Sequence, residues 1–319
     1  MRTLFVVSGG DAPGINTVLA HYTALATAHG DEVFGAQGGL AGVLSGQIVP
    51  LTPALLTPWA GQSGSYLLSS RDPVLKQADA REQLAEALIR HSIDNVILFG
   101  GDGTLRYVAP LLSEWGIPCI GLPTTIDNDI AGTEQTLGFD SACNYAYQAV
   151  DGILATGHAL HQRIFILETL GGHTGFLALE VAWGAGAHAV LVPEYPYDND
   201  WLAERLTRMV NRHGYALLVL SKGVSASRTL AEDIFKWTNI RVRDTRLGHA
   251  QRGAKPSHGD RALAAYMARL AHQALHDGIQ TGTVVVRQGR PLLHEGLLQG
   301  YPPRLPARDL YDQINGDER

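Results

Sequence analysis

Short apolar runs alternate with longer amphipathic stretches along most of this chain. The apolar runs predict buried strands, of which the first are Thr3–Ser8, Val33–Ala36 and Val96–Phe99. Uninterrupted apolar runs bounded by glycine are typical of strands that are covered on both faces. The stretches between them, such as 15–29 and 79–91, repeat their apolar residues at helical spacing. Strands that alternate with helices predict an α/β protein with largely parallel sheets.

The same alternation continues through the second half of the chain. Further strands are expected at Ile117–Leu122, Ile164–Leu167, Ala189–Val192, Ala216–Leu220, and near Thr283–Val286 and Leu292–Leu293. Further helices are expected at 138–157, 201–213 and 260–276, with another that ends near residue 186. The segment that follows Val33–Ala36, through Trp59, is expected to be irregular. The polar closing segment, 304–319, is compatible with disorder.

Glycine-rich turns with acidic side chains follow three of the predicted strands. Asp11 lies in the turn 9–14, Asp102 lies in the turn 100–104, and Asp127 and Asp129 follow the strand that ends at Leu122. Carboxyl ends of parallel strands are where open α/β sheets bind ligands, and glycine turns before helices expose backbone N–H groups to phosphate. Each turn taken singly is equally well explained as a tight or Asx-type turn without a ligand. Together they predict a cation-assisted phosphate site.

Composition narrows the class of protein. With 319 residues, 45% of them hydrophobic and 18% charged, the chain suits a globular enzyme of one large or two smaller domains. A net charge of −6 argues against a nucleic-acid-binding protein. Only two cysteines are present, which indicates a reducing compartment rather than a disulfide framework. Without an apolar run of membrane-spanning length or a signal-peptide pattern, a cytoplasmic enzyme with no membrane partner is expected.

Six motifs in order resemble the 6-phosphofructokinase family in its bacterial-size form. They are Gly-Gly-Asp-Ala-Pro-Gly, Gly-Gly-Asp-Gly-Thr, Thr-Ile-Asp-Asn-Asp, Gly-Phe-Asp, His-Gln-Arg and Leu-Gly-His-Ala-Gln-Arg-Gly, at 9–14, 100–104, 125–129, 138–140, 161–163 and 247–253. The resemblance implies two Rossmann-like three-layer α/β/α domains with mostly parallel sheets and an active site in the cleft between them. Residues 1–138 plus 251–300 would form the larger donor-binding domain. Residues 139–250 plus 301–319 would form the smaller sugar-phosphate-binding domain.

The resemblance also implies roles for residues around the transferred phosphoryl group. Asp127 matches the base that takes the proton from the 1-hydroxyl of fructose 6-phosphate, with Thr125 beside that hydroxyl. Asp102 and Asp129 match the positions that organise Mg²⁺, and Arg71 matches the arginine that bridges donor and sugar. The implied ATP-binding positions are Gly10, Arg71, Asp102, Gly103, Thr104 and Tyr107. Such a site fits phosphoryl transfer, which depends on positioning and charge neutralisation.

A second set of matching residues is implied for the sugar phosphate. In addition to Thr125 and Asp127, the implied substrate-binding positions are Arg163, Gly171, Lys222, Arg243, His249 and Arg252. Arginine side chains suit a phosphate dianion because their N–H groups form forked hydrogen bonds. The resemblance implies that Arg163, Arg243, His249 and Arg252 hold the 6-phosphate, and that Arg163 and Arg243 reach across a subunit interface. A homotetramer is therefore expected, although Arg241, Arg243 and Arg246 also fit a solvated strand edge.

Several positions depart from the family pattern. Gly172 stands where an arginine is usual, Lys222 replaces a glutamate that touches the sugar, and Tyr107 replaces a small residue beside the adenine. Thr124 is neither the glycine of ATP-using members nor the lysine of diphosphate-using ones, whereas Gly103 matches the ATP type. The expected function is Mg²⁺-dependent transfer from ATP to the 1-hydroxyl of fructose 6-phosphate. Diphosphate as donor, another ketose phosphate as acceptor, and a non-catalytic sugar-phosphate-binding partner remain alternatives.

Two further expectations concern regulation and metals. The family's effector-site arginines are replaced by Ala20, Ala24 and Leu154, and its Mg-associated glutamate by His188. ADP and phosphoenolpyruvate are therefore not expected to regulate this protein through that site. The pairs His158/His161 and His272/His276 have helix-face spacing, but no third ligand accompanies them in the sequence. They are interpreted as exposed helix histidines.

Overall fold

The computed structural model describes residues 1–70, 78–160, 162–224 and 227–316. Arg71 of the predicted site and His161 of the pair His158/His161 lie outside the described residues. The chain divides into two compact units. The first comprises Met1–Ile126, Ile130–Ser141 and Lys255–Pro303, and the second comprises Asp127–Asp129, Ala142–Ala254 and Arg304–Arg319. The assignment of donor and sugar phosphate to separate domains, with borders at 138, 250 and 300, stays a prediction.

Strands and helices alternate over the described residues. In chain order the elements are β1 (Arg2–Ser8), α1 (Ile15–Ala28), β2 (Glu32–Ala36), α2 (Gly39–Leu44), β3 (Ile48–Leu51), α3 (Pro53–Leu56), α4 (Ala78–Arg90), β4 (Asn95–Gly100), α5 (Asp102–Glu114), β5 (Cys119–Pro123), α6 (Phe139–Ala159), β6 (Arg163–Thr169), α7 (Phe176–Gly184), β7 (Ala189–Leu191), α8 (Asn199–His213), β8 (Tyr215–Ser221), α9 (Leu230–Thr238), β9 (Arg241–Arg246), α10 (His258–His276), β10 (Thr281–Arg287), β11 (Arg290–Glu295) and α11 (Arg308–Asn315). Short 3-10 helices occupy Thr57–Trp59 and Gly248–Gly253.

The sheet of the first unit has the order β11-β10-β5-β4-β1-β2-β3. Its central strands are parallel, and β3 and β11 pair antiparallel at the two edges. Alternate residues of each strand pack on opposite faces, as the pleat requires. Phe5 and Phe99 pack with Tyr22 of α1 and Met267 of α10, whereas the intervening residues of β1 and β4 pack with α2, α4 and α5. Helices therefore cover both faces of this sheet.

The sheet of the second unit has the order β7-β8-β6-β9, and all its described pairings are parallel. Ile166 and Leu218 pack with Leu206 of α8 and Ile234 of α9. Their strand neighbours Leu167 and Val219 are buried as well, so both faces of β6 and β8 are covered. Among the described residues, no helix combines the length and the apolar character that crossing a membrane requires.

The sequence pattern predicts the class and most elements correctly. The α/β class with largely parallel sheets is confirmed, and the predicted strands and helices recur with ends that move by a few residues. The expectation of an irregular segment before Trp59 is wrong, because α2, β3 and α3 lie there. The strand β3 is short and contains Pro50, which an edge strand tolerates because proline cannot donate a ladder hydrogen bond.

The closing segment is not disordered over its described residues. Helix α11 buries Tyr311, Ile314 and Asn315 among otherwise polar neighbours. Asn315 accepts a hydrogen bond from the Val190 N–H and donates one to the Val190 carbonyl, both at 2.9 Å. Since β7 is an edge strand, this amide pairs backbone groups that no further strand satisfies. The polar composition of the segment does not reveal this anchor, because the anchoring residue, Asn315, is itself polar.

We expect Asn315→Ala to lower the free energy of unfolding by about 2–4 kcal/mol, because it leaves both Val190 backbone groups buried without a partner. Urea denaturation followed by circular dichroism measures this change. Gln313→Ala, at an exposed position of the same helix, is the matched control and should cost less than about 0.5 kcal/mol. Equal stability of the two variants would contradict the anchoring role of Asn315.

Candidate active site

The turn between β1 and α1 touches the segment that follows β5. A Cβ atom built on Gly10 would lie 2.4 Å from the carbonyl oxygen of Thr124, so only glycine fits there without movement. Gly14 ends the turn as the N-cap residue of α1 with a positive φ of 103°. The turn therefore presents the N-terminus of α1, where unpaired backbone N–H groups favour an anion.

A second turn leads from β4 into α5. Asp102 is the first residue of α5, and its carboxylate accepts a hydrogen bond at 2.6 Å from Nε of Arg106. The hydroxyl of Thr104 donates to the carbonyl of Ser8 at 2.7 Å, which ties the start of α5 to the end of β1. Gly103 is exposed, and no atom lies within 4 Å of a Cβ built on it. Folding alone does not require glycine at this position.

The segment after β5 is held to the same unit by backbone pairing. Thr124 donates its N–H to Gly100 at 2.9 Å, and Thr125 donates its N–H to Leu137 at 3.2 Å. The carbonyl of Thr125 accepts a hydrogen bond at 2.6 Å from the hydroxyl of Thr136. Both threonines are buried. The main chain that leads into Asp127 is therefore fixed by partners on both sides.

Asp127, Asn128 and Asp129 belong to the second unit. Asn128 adopts a left-handed conformation with φ of 55°, which asparagine tolerates better than most residues. Its carbonyl accepts a hydrogen bond at 2.6 Å from Arg304, whose guanidinium also lies 4.7 Å from the centre of the Phe176 ring. Arg304 is a positioning residue that the sequence does not reveal, because it lies in the segment that composition assigns to disorder.

The backbone of Gly172 lies against the carboxylate of Asp127. A Cβ atom built on Gly172 would be 3.0 Å from Oδ2 of Asp127, and the residue has a positive φ of 62°. Both observations favour glycine here. The preceding Gly171 has φ of 126°, and its carbonyl accepts a hydrogen bond from the Thr174 N–H at 2.9 Å. The departure from the family's arginine at 172 therefore coincides with close backbone packing on the predicted base.

Among the described residues, Arg252 is a cation that lies beside Asp127. Its Nη2 lies 3.9 Å from Oδ2 of Asp127, and both side chains are mostly buried. The neighbouring Gln251 is fully buried, donates to the carbonyl of Ala142 at 3.1 Å and accepts from the Leu170 N–H at 2.8 Å. Gln251 thereby fixes the short helix that contains Arg252. His249, in the same helix, is exposed.

The remaining predicted basic residues lie on β6, β9 and the turn after β8. Arg163 starts β6, and Arg243 lies on β9 opposite Phe165, so the two arginines share one face of the sheet. Arg243 is exposed on an edge strand, as the alternative interpretation of 241–246 expects. Lys222 is exposed, and its N–H donates to the Thr169 carbonyl at 2.9 Å. Tyr107 of α5 is 78% exposed.

These residues form two groups, each within one unit. Gly10, Thr104 and Thr124 surround the strand ends of the first unit, and Asp127, Gly172 and Arg252 adjoin one another in the second. The border between the units falls between Ile126 and Asp127. A carboxylate beside an arginine can accept a proton from a hydroxyl while the cation binds an anion.

His188, which the resemblance matches to an effector-site glutamate, has a structural role. Its Nδ1 accepts a hydrogen bond from the Leu217 N–H at 2.9 Å, and its carbonyl accepts one from Arg205 at 2.6 Å. Burial, together with the charges of His213 and Arg205, lowers the pKa of His188 to about 4. The imidazole is therefore neutral at physiological pH and does not supply the negative charge of a glutamate.

The interpretation of His272 and His276 as a simple exposed pair is wrong. His272 is buried, and the carboxylate of Asp31 lies with the two imidazoles. Asp31 follows α1, whereas the histidines end α10, so sequence spacing gives no signal of the third group. The chemistry of this cluster is considered below.

Three kinds of comparison with known proteins all match phosphofructokinases. The family model described as phosphofructokinase matches residues 2–275. The ATP-dependent 6-phosphofructokinase of Lactobacillus helveticus is 37% identical over 295 residues, which cover 92% of each chain. The phosphofructokinase of Pichia pastoris superposes with a TM-score of 0.86 at 24% identity, covering 98% of this chain and 35% of its own. A pyrophosphate-dependent phosphofructokinase of Marinobacter aquaeolei gives 0.83 at 22% identity, covering 98% and 91%. The two solved structures show the shared fold.

The two predicted phosphate-binding glycines should differ in their effect on folding. Gly10→Ala should cost about 1–3 kcal/mol, because its Cβ would overlap the Thr124 carbonyl. Gly103→Ala is the matched change, and it should leave stability unchanged or raise it by up to about 1 kcal/mol, because the position is helical and open. Urea midpoints of both variants measure the difference. A destabilised Gly103→Ala protein would show that this turn is constrained by the fold.

Proposed function

The chain belongs to the phosphofructokinase family, and we propose that it transfers the γ-phosphoryl group of ATP to the 1-hydroxyl of fructose 6-phosphate. The products are fructose 1,6-bisphosphate and ADP, in a step of glycolysis. The 37% identity to an ATP-dependent relative over 92% of both chains supports this activity. The observation that favours catalysis over a binding role is the preserved Asp127 carboxylate, with Arg252 3.9 Å from it.

Asp127 is the base in this proposal. The carbonyls of Thr125 and Asn128 both accept hydrogen bonds, so the main chain has defined partners on either side of Asp127. An ionised carboxylate can take the proton of the 1-hydroxyl as the oxygen attacks phosphorus, and the bond from phosphorus to the ADP oxygen breaks. Thr125 lies beside the hydroxyl, and Arg71, outside the described residues, bridges donor and sugar.

Asp102 and Asp129 are the residues that would hold Mg²⁺. Their carboxylates fit the ion because Mg²⁺ prefers oxygen ligands and binds through one or two carboxylates together with phosphate oxygens. An Mg²⁺ ion held by these residues would neutralise negative charge on the phosphates of the donor. In this structure the Asp102 carboxylate pairs with the exposed Arg106. Such an exposed ion pair contributes little free energy, so a metal ion can readily displace Arg106 from the carboxylate.

The donor site is formed by the turns that start α1 and α5. Gly10 and Gly103 allow phosphates to approach backbone N–H groups, and Thr104 orders the second turn through its bond to Ser8. Tyr107 is exposed and lies one helical turn after Gly103, where it is available to an adenine ring. Diphosphate as donor remains the second candidate, since Thr124 matches neither donor type.

The sugar phosphate is assigned to Arg163, Arg243, His249 and Arg252, with Gly171 and Lys222 near the sugar. Arg243, one of the two arginines expected to reach across a subunit interface, is exposed within one chain, which supports the further proposal that neighbouring subunits complete each site in a homotetramer. Lys222 replaces a glutamate of the family, and its positive charge suits a phosphorylated or hydroxylated acceptor. We propose a cytoplasmic location, in keeping with the substrates.

Asp127→Asn should lower kcat by about 10²–10⁴-fold, because the amide cannot accept the hydroxyl proton. Coupled detection of ADP with ATP and fructose 6-phosphate measures the rate. Fructose 6-phosphate binding, measured by calorimetry, should persist, since Arg252 is retained. Asp151→Asn, at an exposed position of the second unit, is the control and should keep full activity.

If the wild-type protein bound fructose 6-phosphate but turned over no donor, the kinase proposal would be wrong and the non-catalytic binding role would take its place. Activity of Asp127→Asn equal to that of wild type would instead show that another group is the base.

A donor series of ATP, GTP, ADP and diphosphate should give the highest kcat/KM with ATP. Gly103→Asp should lower kcat/KM for ATP by at least about tenfold, because the new carboxylate repels donor phosphates while the open position still accommodates it. Gly152→Asp, another helical glycine with open space around its Cβ, is the matched control. Preference of the wild-type protein for diphosphate would reverse the donor assignment and leave the fold and the base unaffected.

A further inference from the structure

Three potential metal ligands from distant parts of the chain meet in the first unit. Nε2 of His276 lies 2.8 Å from Oδ2 of Asp31, and Nε2 of His272 lies 3.5 Å from the same oxygen. One ligand atom from each residue lies within 4.8 Å of those of the other two. A single ion of the first transition series could replace these direct contacts, since its bonds to nitrogen and oxygen are about 2.0–2.2 Å long.

The two histidines are presented by one face of α10. They are four residues apart, which places both imidazoles on the same side of the last helical turn. His272 is only 6% exposed, and its buried Nε2 has no hydrogen-bond partner among the described residues. An imidazole nitrogen that is buried, without a hydrogen bond, and directed at a carboxylate is costly unless a ligand satisfies it.

The ring of His29 lies beside the cluster. Its ring centre lies 4.8 Å from that of His272 and 5.5 Å from that of His276. The Nδ1 of His29 lies 2.9 Å from the Leu25 carbonyl, to which it donates when it carries the proton. That tautomer leaves Nε2 with a lone pair, which is the arrangement common in metal-binding histidines. The other oxygen of Asp31 accepts a hydrogen bond from the Met1 amino group at 2.6 Å.

We propose that Asp31, His272 and His276 bind a divalent transition-metal ion of the zinc type. Two imidazoles and one carboxylate suit Zn²⁺ and are poor ligands for Mg²⁺, which selects oxygen donors. This site is distinct from the proposed magnesium positions Asp102 and Asp129.

The position of the cluster defines what a bound ion would do. His29 and Asp31 follow α1, and the histidines of α10 end a helix that packs along α1. The 14 residues of α1 separate the cluster from the glycine turn 9–14 by about 21 Å, at about 1.5 Å per residue. The ion would therefore join the ends of two packed helices and stabilise the first unit without entering the phosphate site.

The test is Zn²⁺ binding by the full chain after treatment with a chelator. Calorimetric titration in excess Mg²⁺ should give one Zn²⁺ per chain, and Co²⁺ should give the visible absorption of a tetrahedral site. His276→Gln and Asp31→Asn should each weaken Zn²⁺ binding by about 100-fold or more. His276 is partly exposed, so its replacement preserves the core.

His21→Gln, at an exposed position of α1, is the matched control and should bind Zn²⁺ as wild type does. Zn²⁺ should also raise the thermal unfolding midpoint of wild type and of His21→Gln, but not of His276→Gln. Less than one ion per chain, or equal binding by His276→Gln and wild type, would overturn the proposal. Kinase activity with Mg²⁺ is an independent measurement, so failure of either proposal is recognised separately.

Discussion

The closeness of Gly10 to the Thr124 carbonyl is the contact on which the strand-end loops of the first unit depend. In the sheet, β4 lies between β1 and β5, so the turns after β1 and β5 meet across the end of β4. The hydrogen bond from Thr124 to Gly100 completes this arrangement. Because any side chain at residue 10 would separate these loops, glycine here is required by packing before any ligand is considered.

In the second unit, close packing also surrounds Asp127. Gly172 approaches the carboxylate on one side, Arg252 approaches it on another, and Arg304 holds the adjoining carbonyl of Asn128. A family arginine at 172 would have to start from a left-handed backbone beside this carboxylate. Among the described residues, Arg252 supplies positive charge beside Asp127, and Gln251 holds the short helix of Arg252 in place through two backbone contacts.

The closing segment shows how polar residues can anchor a fold. Arg304 and Asn315 lie in a stretch whose composition resembles a disordered tail, yet both bind backbone groups elsewhere in the second unit. Asp31 is a comparable case in the first unit, since its partners His272 and His276 are more than 200 residues away in the chain. Long-range hydrogen bonds and ion clusters leave no periodic pattern in the sequence.

The sequence by itself determined the α/β class, most strands and helices, the family, and the positions of the glycine-rich turns that contain acidic residues. It could do so because strand and helix periodicity and turn chemistry are local properties of the chain. The tertiary structure decided which glycine is sterically required, which cation lies beside Asp127, and that the last helix is anchored through Asn315. It also brought Asp31 to His272 and His276. These features depend on which distant segments meet, and that is set by packing of the whole unit rather than by neighbours along the chain.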